Sequence, residues 1–308
     1  MSSTEASTPP SQRGDRVFGA LAKGAGITIL VVLAGVALFL LVEAFPALTA
    51  PASELPDGKS LIAYVAPLAF GTLLSATLAI LIAVPLALAV AIFISFYAPK
   101  RIAGTLGSIV DLLAAIPSVV YGLWGIVVLG PAIVPLHEWL ADHLSFIPFF
   151  AGQASATGRT MLTVGLVLAV MILPIITAIS REVFLQTPRK LTEAAYGLGA
   201  TKWEMIRMTV IPFGRPALIS ASMLGLGRAL GETMAVTMIL SAAGVVSFKL
   251  LTATNPSSIA ANIALQFPES SGIDVNVLIA SGLVLFAITL VVNMTARWVI
   301  ARSNLVNA

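Results

Sequence analysis

The sequence contains no cysteine, which excludes disulfides and thiolate metal sites. Histidine is almost as scarce, with two residues. They sit in His137-Glu-Trp-Leu-Ala-Asp-His143, six positions apart rather than four, so they do not share a helix face as a zincin pair does. No metal site is expected, and the stretch reads instead as an amphipathic helix at a membrane surface, within an outer loop of residues 131–159. Charge is sparse as well. Asp, Glu, Lys and Arg make up 10% of the 308 residues, against about 25% in ordinary soluble domains. Short alternating strands with turns at every tenth residue or so are missing, which argues against a β-barrel.

What the chain has in quantity is hydrocarbon. Hydrophobic residues make up 58% of it and mean hydropathy is +1.01. Single soluble cores stop growing near about 250–300 residues, so this composition describes an all-α integral membrane protein. Residues 1–16 are polar, rich in Ser, Thr and Pro, and read as a disordered tail. Apolar runs follow at about Phe18–Phe45, Val65–Phe96, Ser108–Val134, Met161–Ile179, Ala217–Val246 and Val275–Ile300. Each satisfies the roughly 20 residues that a helix needs to cross a bilayer. The first could be mistaken for a signal peptide, but no small-x-small cleavage site follows directly. It reads as a retained span, with its outer loop completing a segment 17–64. That gives six transmembrane helices, with proline kinks expected at Pro85, Pro117 and Pro174.

Orientation follows from the cations. Arg13, Arg16, Lys23, Lys100, Arg101, Arg181, Arg189, Lys190, Lys202, Arg207, Arg215, Arg297 and Arg302 fall on one side, and Lys59, Arg159 and Lys249 on the other. The positive-inside rule then places both termini in the cytoplasm. Because the basic residues flank spans, the net charge of +3 implies no nucleic-acid partner. Asp57-Gly-Lys-Ser60 resembles the end of a phosphate-binding loop, but the first glycine of that motif is replaced by Ser53 and the segment lies outside. The chain has no nucleotide site of its own.

Residues 181–216 interrupt the lipid-soluble pattern. Thr187-Pro188 reads as an N-cap with proline in the first turn, and Gly197 and Gly199 as the turn that ends a short helix. Thr201-Lys-Trp-Glu204 is a capping box, so a second short helix is expected over 201–209, stopping before Pro212. Two capped helices held against a membrane suggest a docking surface. In the last outer loop, Asn255-Pro256 reads as another cap, opening a helix through Phe267 with Ile259, Ile263 and Phe267 along one face. That helix could gate the outer mouth, receive a partner or simply cap the bundle.

The fifth span carries two charges. Arg228 falls twelve residues past Pro216, about 18 Å along the axis, near mid-membrane, and Glu232 follows at i+4 on the same expected face. Each charge there costs roughly 2.5–3.5 kcal/mol on insertion scales, which marks intramembrane ionisable residues as functional candidates. Gly227 and Gly231 form a GxxxG pair that admits a neighbouring helix or leaves room for a solute. Physical chemistry leaves three readings open: a structural ion pair, a guanidinium meeting a passing oxyanion, and a proton carrier in which Glu232 titrates.

Glu193-Ala194-Ala195, then Gly199, then Ile211-Pro212 resemble the EAA–x3–G–x9–I–x–LP loop of permease subunits in ATP-binding-cassette importers. Thr209 and Ile211 depart from the usual Ile and Leu. The stretches Gly225–Val236, Ala115–Gly122 and Asn255–Asn262 are similar to the PstC family of phosphate-importer permeases, and the resemblance covers about 65–300. It implies a type I importer fold over 65–302 with a cytoplasmic coupling helix in the loop 181–216. It also implies a bacterial inner-membrane location and a non-enzymatic role. A PstA-like second permease, two PstB-like ATPases using ATP and Mg²⁺, and an external PstS-like phosphate-binding protein would complete the complex, surrounded by membrane lipid. Glu193, Ala194, Ala195, Gly199, Thr201, Trp203, Ile206 and Pro212 would dock the ATPase, and Arg228 and Glu232 would line the substrate path. A sulfate or molybdate permease and a stand-alone secondary transporter are the rival expectations.

Overall fold

A computed structural model describes residues 12–240 and 243–305, and those residues are helical apart from their connecting loops. Six helical stretches are long and apolar enough to cross a membrane: Gly14–Thr49, Leu61–Tyr97, Ser118–His143, Met161–Leu185, Lys202–Leu230 and Ile273–Trp298. The number matches the sequence expectation, and several boundaries do not. Helix α1 (Gln12–Thr49) begins early, so residues 12–16 belong to a helix rather than to the expected tail, whose first eleven residues lie outside the described ones.

The centre of the bundle is α6 (Met161–Leu185) packed on α2 (Leu61–Ile92). Along α2, Ala76, Ala79, Ala83, Ala87 and Ala91 form one fully buried ridge. Small side chains let two backbones approach where lipid offers no hydrophobic drive between helices, so dispersion contacts must supply the association. Facing it, α6 buries Met161, Val164, Leu168, Met171, Ile172 and Ile176. Its first turn is capped by Thr160, whose hydroxyl accepts from the Thr163 amide. Pro85 and Pro174 lie inside these helices as expected, and Pro67 does too.

Helix α1 is peripheral. It seats Ala44 and Ala47 against Val277 and Ala280 of α12 (Ile273–Leu305), and Asn276 donates to the Glu43 carbonyl at 2.7 Å. The rest of its surface faces outward.

The third span is shorter and shifted. Lys100–Ala114 (α3) is a separate amphipathic helix, and the crossing segment starts at Ser118, the beginning of α4 (Ser118–Trp124). Pro117 stands at that boundary instead of kinking a helix begun at Ser108, because a proline pushes the residue before it out of helical conformation. The segment then continues through a wide turn at Gly125–Leu129 into α5 (Gly130–His143). His137 is fully buried in α5, which corrects the expectation of a surface-lying helix there.

Span five departs most. After α7 (Arg189–Gly197) and α8 (Lys202–Met205), the chain passes a five-residue turn, Ile206–Val210, and enters α9 (Ile211–Leu230) without a break. The Ile211 amide bonds back to the Ile206 carbonyl, one residue further than in an α-helix. Such a turn absorbs the missing N–H of Pro212, so the expected stop before Pro212 does not occur. The stop comes later: α9 ends at Leu230, Gly231–Thr233 are non-helical, and α10 covers only Met234–Ile239. Residues 243–258 then form no helix before α11 (Ile259–Gln266).

The end of that non-helical segment folds back into the bundle. Asn255, Pro256, Ser257, Ser258 and Ile259 are all buried. The Ile259 amide donates to Thr72 Oγ1 of α2 at 3.0 Å. Helix α11 is capped by Ser258, which accepts from the Ala261 amide. Asn255 therefore does not cap it; its side-chain amide instead donates to the carbonyl of Thr252. Of the expected apolar stripe, Ile259 is fully buried while Phe267 is 54% exposed.

Candidate functional site

Two regions collect the residues singled out in the sequence. The first is the loop between α6 and α9. Pro188, with φ −57° and ψ 127°, sits at the cap position of α7 and makes no side-chain hydrogen bond; Thr187, the expected cap, is one residue outside and its hydroxyl is buried without a partner. The far end of α7 matches the sequence reading. The Gly199 amide bonds to the Tyr196 carbonyl and the Ala200 amide to the Ala195 carbonyl, at 2.9 and 3.1 Å. With Gly199 at φ +82°, this is a Schellman ending, a conformation that glycine adopts without a Cβ penalty. The Thr201–Glu204 capping box is complete, with both reciprocal bonds present.

These devices fix a small apolar surface. Glu193, Ala194, Thr201 and Pro212 are exposed, Trp203 is 53% exposed, and Leu198 stands out at 86%. Leu191 and Tyr196 are also exposed. Two expected docking residues point the other way. Ile206 is fully buried and Ala195 nearly so, packed with Phe184, Met205 and Val210; they hold the loop to the bundle from beneath. Leu198 was missed because one leucine between two glycines has no periodicity to place it.

The second region is the end of α9. Arg228 lies in its last turn, half-buried. It lines a cleft of about 550 Å³ between α9 and α12, with Gly227 and Ser220 on one wall and Asn293, Ala296 and Arg297 on the other. Glu232 is not on the Arg228 face, because the helix ends between them. It is 7% exposed, and its Oε1 accepts from the Ala235 amide at 3.1 Å, at the start of α10. Among the described residues the two charges form no ion pair, and Arg228 has no carboxylate partner. The GxxxG reading changes too. A Cβ on Gly227 would meet nothing within 4 Å, while one on Gly225 would press on Ile176 of α6. Gly225 is thus the close-packing glycine, and Gly227 leaves the cleft wall open.

Comparison with known proteins adds to this geometry. Residues 83–304 match the family of binding-protein-dependent transport system inner membrane components. Phosphate transport system permease protein PstC 2 of Mycobacterium tuberculosis is 46% identical over 94% of this chain and 92% of its own length. The PstC permease of Mesorhizobium japonicum is 38% identical, over 94% and 90%. Among solved structures, a bacterial ABC transporter that imports the acidic polysaccharide alginate superposes with TM-score 0.62 at 16% identity, covering 94% of this chain and 97% of that one. A chain of the inward-facing MetNI methionine ABC transporter gives 0.53 at 15%, over 79% and 95%.

Proposed function

This chain belongs to the family of binding-protein-dependent transport system inner membrane components, and from that premise we propose that it is one of two permeases forming the pathway of an ATP-driven phosphate importer. The observation that carries the reading is Arg228: a half-buried guanidinium with no carboxylate beside it, facing an open cleft at a helix break. A fixed cation at such a cleft compensates an oxyanion that hydrocarbon would exclude. The names of the relatives favour phosphate over sulfate or molybdate.

In this reading both termini and the loop 181–216 are cytoplasmic. A sister permease covers the open face, two ATPase subunits that use ATP and Mg²⁺ seat on the loop, and a binding protein delivers phosphate from outside. Closure of the ATPases moves α7, and the movement reaches the cleft through one continuous helical stretch, Lys202–Leu230 of 29 residues. At 1.5 Å per residue that stretch is about 43 Å long. Arg228 rides at its far end, so the lever is the whole stretch rather than a separate helix 201–209. Glu232, held by the Ala235 amide, stays clear of the guanidinium and leaves it available to substrate.

Uptake of ³²P-phosphate into vesicles holding the complete complex should require both the binding protein and ATP. Uptake driven by a proton gradient without ATPase subunits would favour a secondary transporter instead. Docking has its own test. Leu198→Asp and Glu193→Lys should each cut co-purification of the ATPase at least several-fold while the permease pair still assembles. An undiminished, transporting complex from both variants would remove the loop surface from the interface.

A further inference from the structure

We propose that Arg297, with Asn293 beside it, is the second half of a two-arginine anion site whose first half is Arg228. This inference rests on the phosphate-pathway reading above. It assigns to α12 a direct part in holding the oxyanion.

Three observations converge. The cleft is lined by Arg228 from α9 and Arg297 from α12, and no carboxylate is among its lining residues. All of its described ionisable groups are therefore cations, in a volume within the range of small-ligand sites. Asn293 and Arg297 stand at i and i+4, on one face of α12, while Ala296 between them is buried against the bundle. The small side chain lets α12 lie close to α9 and bring that face to the cleft. Neither Arg297 nor Asn293 has a hydrogen-bond or ion-pair partner among the described residues. Ser220 is different, because its hydroxyl proton is committed to the Pro216 carbonyl. The free donors in the cleft are thus two guanidinium groups and one carboxamide. Guanidinium forks bind phosphate through paired N–H donors, so two of them suit a tetrahedral oxyanion carrying more than one negative charge.

The competing role for Arg297 is that of a topological anchor at a membrane edge. Its place next to the end of the crossing stretch Ile273–Trp298 suits that role too, and the test below separates the two. Helix α12 continues to Leu305, two further turns, and Arg302 lies within those turns, where an anchor is also expected. Arg297 sits before the helix end, level with the cleft.

The test uses the complete complex in vesicles, with ³²P-phosphate as the probe and co-purified subunits as the check on assembly. Arg297→Gln should lower uptake by about tenfold or more with assembly intact. Adding Ala301→Lys to it restores the cationic count one turn along and should not restore uptake; recovery would make Arg297 an anchor and overturn the proposal. Asn293→Asp keeps every arginine and nearly the same shape, but places a carboxylate in the cleft, so uptake should fall several-fold. Normal uptake in either Arg297→Gln or Asn293→Asp, alongside a dead Arg228→Gln control, would overturn the two-arginine site and leave the pathway standing. Normal uptake in the Arg228→Gln control would instead remove the pathway reading itself.

Discussion

Replacing Arg228 with glutamine should reduce phosphate uptake by about thirtyfold or more while leaving the complex assembled. The size follows from what the cation does. Truncating one partner of a buried charge pair costs roughly 2–5 kcal/mol, each 1.4 kcal/mol is a factor of ten, and a half-buried guanidinium at an open cleft belongs at the low end. Assembly should survive because Arg228 has no ion-pair partner to lose among the described residues. The glutamine keeps the length of much of the side chain and part of its hydrogen-bonding capacity. Initial uptake rates in vesicles, with subunit stoichiometry measured on the same preparation, decide the matter. Uptake within threefold of the unaltered protein would mean that the charge is structural after all.

The second large effect is expected far from any charge. A Cβ placed on Gly71 of α2 would collide with the backbone carbonyl oxygen of Ser257 and touch Pro256. The obstacle is main chain, not the end of a flexible side chain, so relief requires the infolded segment to move. Overpacking of this kind typically costs about 1–3 kcal/mol and occasionally more. The Ile259–Thr72 hydrogen bond next to it would stretch or break as well. Gly71→Val should therefore loosen residues 243–258, seen as faster proteolytic cleavage there and a lower melting temperature in detergent. A variant as stable and as protease-resistant as the unaltered chain would show that the segment reseats at little cost.

How much of this was legible beforehand depended on whether the signal was local. The Thr201–Glu204 box and the Gly199 ending were readable because each is closed by hydrogen bonds within six residues. The span count was readable because a bilayer sets a minimum helix length regardless of packing. The break at Gly231 was not, since an apolar run looks the same whether its helix continues or bends away. The i+4 relation between Arg228 and Glu232 assumed an unbroken helix, and that assumption paired two groups that the structure separates. Gly231 itself was a visible stop signal, read instead as half of a GxxxG motif. Pro212 failed in the opposite sense. It reads as a terminator, yet a turn one residue wider than α accommodates it, and nothing in the composition of Ile206–Val210 announces that turn. The burial of Ile206 was hidden for a third reason: only the packing of Phe184 and Val210 around it reveals which way the loop faces.

The ending of α9 also bears on how an importer avoids leaking. Aligned peptide dipoles leave roughly half a negative charge at a helix C-terminus, and Arg228 lies in that last turn. The helix end therefore offsets roughly half a unit of the positive charge that Arg228 and Arg297 bring to the cleft. With the orientation proposed above, each negative charge moving inward works against the membrane potential by about 2.3 kcal/mol per 100 mV. A fully charged, continuously open arginine pore would let cytoplasmic anions run outward down that gradient. A site whose positive charge is partly offset at rest holds such anions less firmly, and so gives the electric field less to discharge between one transport cycle and the next.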